Sequence, residues 1–165
     1  MAIYSKTLSD EKIIALVPKG AKSILIVGCG GCVNESLAYD YDVPISTFDT
    51  EGNNTPYASS VEAKRIADIL EAENFTVDIK LLTGDLPVLC IHHENETAII
   101  GQSNRPDAIL VLSCKSGVLG MQFVTDIPSF TITTQVGYLS YTYSDRGGER
   151  LILRDKSVCQ LFDEQ

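Results

Sequence analysis

The apolar run Ser23-Ile24-Leu25-Ile26-Val27 leads directly into Gly28-Cys29-Gly30-Gly31-Cys32. A short continuous apolar run closed by glycines reads as a buried strand. Its two cysteines then fall on the turn at the strand's carboxyl end, where open α/β sheets bind their ligands. A second such run, Ala108-Ile109-Leu110-Val111-Leu112-Ser113, ends on Cys114 and is followed by Gly117. Thiols placed after two separate strands converge if those strands lie side by side.

The rest of the chain supplies elements to surround them. Ser9-Asp10-Glu11 before Ile13, Ile14 and Leu16 predicts a short helix ending near Pro18-Lys19-Gly20. A helix is expected over Val33 to Tyr39, and a short edge strand over Ile45 to Phe48. Thr55-Pro56 opens the clearest helix, with threonine as its cap and Val61, Ile66, Ile69 and Leu70 as its apolar stripe. Asn74 closes it. Phe75 to Leu82 reads as a strand, His93 to Gln102 and Val118 to Val124 as helices, and Ser129 to Gln135 as β-rich. Leu139 to Tyr143 and Arg150 to Leu153 flank Asp145-Arg146-Gly147-Gly148, a hairpin signal. Strands alternating with helices predict a three-layer α/β fold, a mainly parallel sheet with flanking helices and a C-terminal β-hairpin. One domain over 1–165 accounts for the whole pattern.

Charge and cysteine count narrow the function. A formal net charge of -9 argues against nucleic acid, which requires a basic stripe, and against an anionic membrane surface. It suits docking to a basic patch on a partner protein. No apolar stretch approaches the roughly 18 residues of a membrane span. Five cysteines, two of them in a Cys-x-x-Cys, fit a disulfide framework poorly. A reduced, cytoplasmic protein that uses thiols for metal or redox chemistry is the expectation.

Thiolates select zinc or iron–sulfur iron, and a tetrahedral site takes four ligands. Cys29, Cys32 and Cys114 are the first three candidates, and Cys90, shortly after a strand, is the natural fourth. His92 or His93 is an alternative fourth ligand; adjacent residues on an extended chain point to opposite faces, so only one would serve. Cys159 is read as an ordinary buried thiol. A dithiol oxidoreductase using Cys29 and Cys32 is a rival reading, although it leaves Cys114 without a role. A dinucleotide site is another: Gly28, Gly30 and Gly31 follow a strand and Asp49 stands at a suitable distance for a ribose contact, but Val33 occupies the third glycine position. With Gly117, these glycines are the cofactor-binding candidates. Tyr138, Tyr141 and Tyr143 are assigned to one face of the hairpin rather than to a site. An apolar edge near Phe123 to Phe130 is a possible homo-oligomer contact.

The stretch Ile24 to Cys32 resembles the opening of the methylenetetrahydrofolate reductase C-terminal domain family, which includes the small cysteine-rich partner subunit of anaerobic-type reductases. Ala108 to Val118, a strand ending in cysteine and then a glycine-valine turn, is similar to that family's second hallmark, and Gln122 answers to a glutamine that follows it. The resemblance spans roughly residues 22 to 135. It implies an α/β domain that holds a thiolate-bound iron–sulfur cluster or zinc and assists a flavoprotein reductase or methyltransferase subunit. Carried over by position, Cys29, Cys32 and Cys114 are ligands, with Cys90 beside them. Two features depart from the family. Ser36 stands where a third cysteine is common, and only Cys159 represents a cysteine-rich tail. One centre, rather than a two-cluster relay, is therefore expected.

Overall fold

The computed structural model describes residues 1–83, 88–90, 104–145 and 149–162. The two apolar runs form β2 (Ser23–Gly28) and β6 (Ala108–Leu112) and pair in parallel, Ile24 beside Ala108 through Gly28 beside Leu112. On the far side of β2 lies β5 (Thr76–Leu81), also parallel, and β6 continues to β7 (Ser129–Thr131). The order is β5-β2-β6-β7. Alternation along β2 and β6 splits their side chains between two cores. Ile24, Ile26, Leu110 and Leu112 pack on one face, Leu25, Val27, Ile109 and Val111 on the other. The first core includes residues of α1 (Asp10–Leu16), α2 (Cys32–Tyr41) and α3 (Tyr57–Ala72); the second is closed by Val118 and Met121 of α4 (Lys115–Val124).

A second sheet lies outside the expected pattern. Its order is β1-β8-β9-β3-β4, and its paired strands are antiparallel. It comprises β1 (Ala2–Thr7), β3 (Ser46–Phe48), β4 (Asn54–Pro56), β8 (Thr133–Asp145) and β9 (Arg150–Leu161). The expected mainly parallel sheet is thus one of two. The expected hairpin corresponds to β8 and β9, which pair over a far longer stretch, from Gly137 beside Leu161 to Asp145 beside Leu151. The strand expected at an edge, β3, is paired on both sides. Thr55 does not cap α3 but belongs to β4, and Pro56 takes the cap position with φ -69° and ψ 92°. The helix expected over 93–102 lies outside the described residues. Among the described residues no helix is long and apolar enough to cross a membrane.

The inner face of α3 corrects another expectation. Ile66 and Leu70 are buried, but Val61 is exposed and Glu62 is buried in its place. Glu62 is tolerated because it is fully partnered. Arg65 donates to both carboxylate oxygens at 2.9 Å, the Tyr41 hydroxyl donates at 2.8 Å, and Arg65 also reaches Asp10 at 2.8 Å.

Candidate functional site

Strand order defines where a site forms. From β2 the chain crosses to β5 on one side, then returns to β6 on the other, so the loops leaving β2 and β6 diverge to opposite faces. Their carboxyl ends enclose the crevice in which α/β sheets take ligands. Here Gly28 and Leu112 are register partners, and Cys29 and Cys114 follow within two residues. The Cys29 amide extends the ladder by donating to the Leu112 carbonyl at 3.1 Å.

Both turns are tightly tied. The Ser59 hydroxyl of α3 donates to the Cys29 carbonyl at 2.8 Å, and buried Asn34 accepts the Ser59 amide at 2.7 Å. That bond satisfies one of the orphan amides at the start of α3. Gly31 caps α2, and a Cβ there would lie 2.7 Å from Val88 Cγ1. In the other turn, the Thr131 and Thr133 hydroxyls both donate to the Ser113 carbonyl, at 3.2 and 2.6 Å. Cys114 then caps α4.

The result is a cavity of about 230 Å³ lined by Cys29, Cys32, Cys90 and Cys114 together with Met1, Gly31, Val33, Glu35, Val88, Gly117 and Tyr141. All four cysteines singled out as ligands therefore face one space, supplied by the segments that follow β2, β5 and β6. Cys29 and Cys114 are buried, Cys32 is half-buried and Cys90 is exposed. Cys159 is outside this cavity, exposed on β9 rather than buried, with its sulfur 3.9 Å from the Ser157 hydroxyl. Among the described residues, no three His, Cys, Asp or Glu side chains are already arranged to hold a metal ion. Ligation by this set would draw the thiols inward. His92 and His93 lie outside the described residues. Of the glycine candidates, Gly31 and Gly117 line the cavity, Gly28 ends β2, and Gly30 lies in the turn between.

Electrostatics disfavour the thiolate form of Cys29 and Cys32 in the metal-free chain. Burial pushes the Cys29 thiol up to about 11, opposed by backbone amides of Leu89 and Gly31 and reinforced by neighbouring Cys114 and Cys90. The Gly31 amide donates to Cys29 Sγ at 3.4 Å. Burial also raises Cys32, opposed by the Ile3 amide and reinforced by Glu35.

Glu35 and Tyr141 are site residues the sequence reading did not single out. Tyr143 donates to Glu35 Oε1 at 2.8 Å and stands 3.2 Å from the Tyr141 hydroxyl. Tyr141, assigned to a hairpin face, thus forms part of the cavity wall; its phenol is strongly raised by burial, then by Tyr143 and Glu35. The signal for Glu35 was its position one helical turn after Cys32. Tyr141 reaches the cavity only through pairing of the second sheet.

Two other assignments change. Asp49, the ribose candidate, lies in the β3–β4 turn of the antiparallel sheet. Its carboxylate accepts the amides of Glu51 and Asn53, each at 2.9 Å, and the Asn53 side chain at 2.8 Å. It organises that turn and is removed from the parallel sheet that a dinucleotide fold would use. Ser36, standing where the resembled family has a further cysteine, is fully buried and joins α2 to β1. It accepts the Ser5 amide at 3.0 Å, and its oxygen lies 2.7 Å from the Cys32 carbonyl and 3.2 Å from that of Ile3. Ser36→Ala strands the Ser5 amide and is expected to cost about 1–3 kcal/mol in a urea titration.

Compared with protein-family models, curated proteins and solved structures, the chain finds no match in any of the three.

Proposed function

We propose that this chain is an accessory metal-binding protein in which Cys29, Cys32, Cys114 and Cys90 hold an iron–sulfur cluster or zinc. The observation that carries this reading is the convergence of four cysteines, from three separate segments, on one cavity at the sheet's switch point. An all-thiol donor set is soft and suits either metal. Two further features support a centre rich in negative charge. The amino ends of α2 and α4, each a ten-residue helix, begin at this cavity, where helix dipoles favour anions. The Gly31 amide bonded to Cys29 is the type of contact that tunes sulfur-bound centres.

When bound, a cluster would supply one-electron chemistry, whereas a fully thiolate-ligated zinc would be structural. The chain's own groups bind the metal, accept or release the thiol protons, and shield the centre behind Tyr141 and Val88. The three-layer core around the parallel sheet is then the carrier. Together with the family resemblance, this makes the chain a cytoplasmic companion of a flavin-containing methylenetetrahydrofolate reductase, or of a related methyl-transfer subunit, to which it passes electrons. A simple dithiol enzyme is less well supported, because redox-active thiols need a lowered pKa and both Cys29 and Cys32 are raised.

Anaerobic purification with an absorption spectrum and iron, sulfide and zinc analysis tests the reading. Broad visible absorption that bleaches on reduction, with matching iron and sulfide, establishes a cluster. About one zinc per colourless chain selects the structural site. Metal-free protein that cannot be reconstituted removes the proposal.

A further inference from the structure

Cys90 lies outside every strand and helix of the described residues. It follows Leu89, which is 2% exposed and packs with Val118 and Met121 of α4 and with Ile109 and Val111 of β6. The face of α4 under Leu89 carries Gly117 and Gly120, three residues apart and therefore neighbours on the helix surface. A Cβ at Gly120 would lie 2.5 Å from the Leu89 carbonyl oxygen. One at Gly117 would lie 3.0 Å from Leu89 Cβ and 2.3 Å from the Ser113 hydroxyl oxygen. A backbone carbonyl cannot retreat by changing rotamer, so the Gly120 contact is the stricter of the two. Glycine is a poor helix former, and its use at this point in α4 is explained by the close approach it permits.

We infer that Gly120 is a positioning residue for the metal site: it lets the Leu89 backbone seat against α4, which sets Cys90 at the cavity as the fourth thiolate. This rests on the metal-binding reading above. Gly120 touches no ligand and acts only through Leu89. A methyl group there lifts the Val88–Cys90 segment and leaves a three-thiolate site, while alanine strengthens the helix itself.

Cobalt(II) titration of the reduced full chain is the test, with thiolate-to-metal charge-transfer absorption counting the coordinating sulfurs. Gly120→Ala is expected to lose about a quarter of the wild-type band, one thiolate of four, as Cys90→Ser does. The double variant should lose no more than either single one. Leu89→Ala, which removes the anchor without touching α4, should show the same loss and decides the matter if Gly120→Ala does not fold. A wild-type band in both Gly120→Ala and Leu89→Ala overturns the inference, as does a double variant that falls further. A wild-type chain with no thiolate band overturns the metal reading itself, and this inference with it.

Discussion

Replacing Cys29, Cys32 or Cys114 by serine is expected to remove most of the bound metal, while Cys159→Ser leaves it at the wild-type level. Serine keeps the shape of the side chain but offers a hydroxyl in place of a soft thiolate, so the loss reports ligation rather than packing. Cys159 is the internal control because it lies outside the cavity, exposed on β9. Metal analysis after anaerobic reconstitution reads the result directly. Full retention in any of the first three would remove that residue from the ligand set. Affinity should also rise with pH. Burial holds Cys29 near 11, so at neutral pH its proton must leave before the sulfur can ligate. Each proton displaced makes binding about tenfold tighter per pH unit, as long as the thiol remains protonated in the free protein. The Cys29→Ser variant should lose that part of the slope along with its affinity.

The legible part of this site was the part built by single strands. β2 and β6 are buried on both faces, so their residues form unbroken apolar runs and their ends are marked by glycine and cysteine. Cys29, Cys32 and Cys114 could therefore be placed at one sheet edge. Cys90 is less legible, because Leu89 beside it packs onto a helix that begins some twenty-five residues later. Tyr141 carries no such mark in the sequence. On β8 it follows a register shift, and its place in the cavity wall depends on β8 pairing with β1, more than 100 residues earlier in the chain. The antiparallel sheet is hidden in the sequence for a related reason. Ala2–Thr7 and Asn54–Pro56 are short and half polar, and they become strands only because β8 and β3 lie beside them. Helix α3 shows the limit of counting apolar residues. Periodicity places Val61 inward, whereas the inward position is Glu62, held by Tyr41 of α2 and by Arg65 of α3, which in turn binds Asp10 of α1.

That buried carboxylate makes the largest predicted stability effect in the chain. Arg65→Ala leaves Glu62 with the Tyr41 hydroxyl but without its countercharge, in a side chain only 1% exposed. Removing one partner of a fully buried ion pair costs about 3–5 kcal/mol. Arg65 is itself 41% exposed, so water screens part of the attraction, and a loss of about 2–3 kcal/mol is expected. The pair also sets an acid limit. Burial works to raise the Glu62 pKa, but the Arg65 and Tyr41 hydrogen bonds outweigh it and the net shift is downward. A carboxylate with a lowered folded pKa contributes stability that is complete above its unfolded value, about 4.3, and is lost as pH falls through the folded value. Urea titrations from pH 7 down to about 3 should therefore show wild-type stability falling steeply below about pH 4. Glu62→Gln should be less stable at pH 7 and flatter across the acid range, because it has no proton to take up. If Glu62→Gln keeps the wild-type acid slope, Glu62 is not the group that couples this fold to pH. An Arg65→Ala chain as stable as wild type would mean that the carboxylate is held by Tyr41 alone.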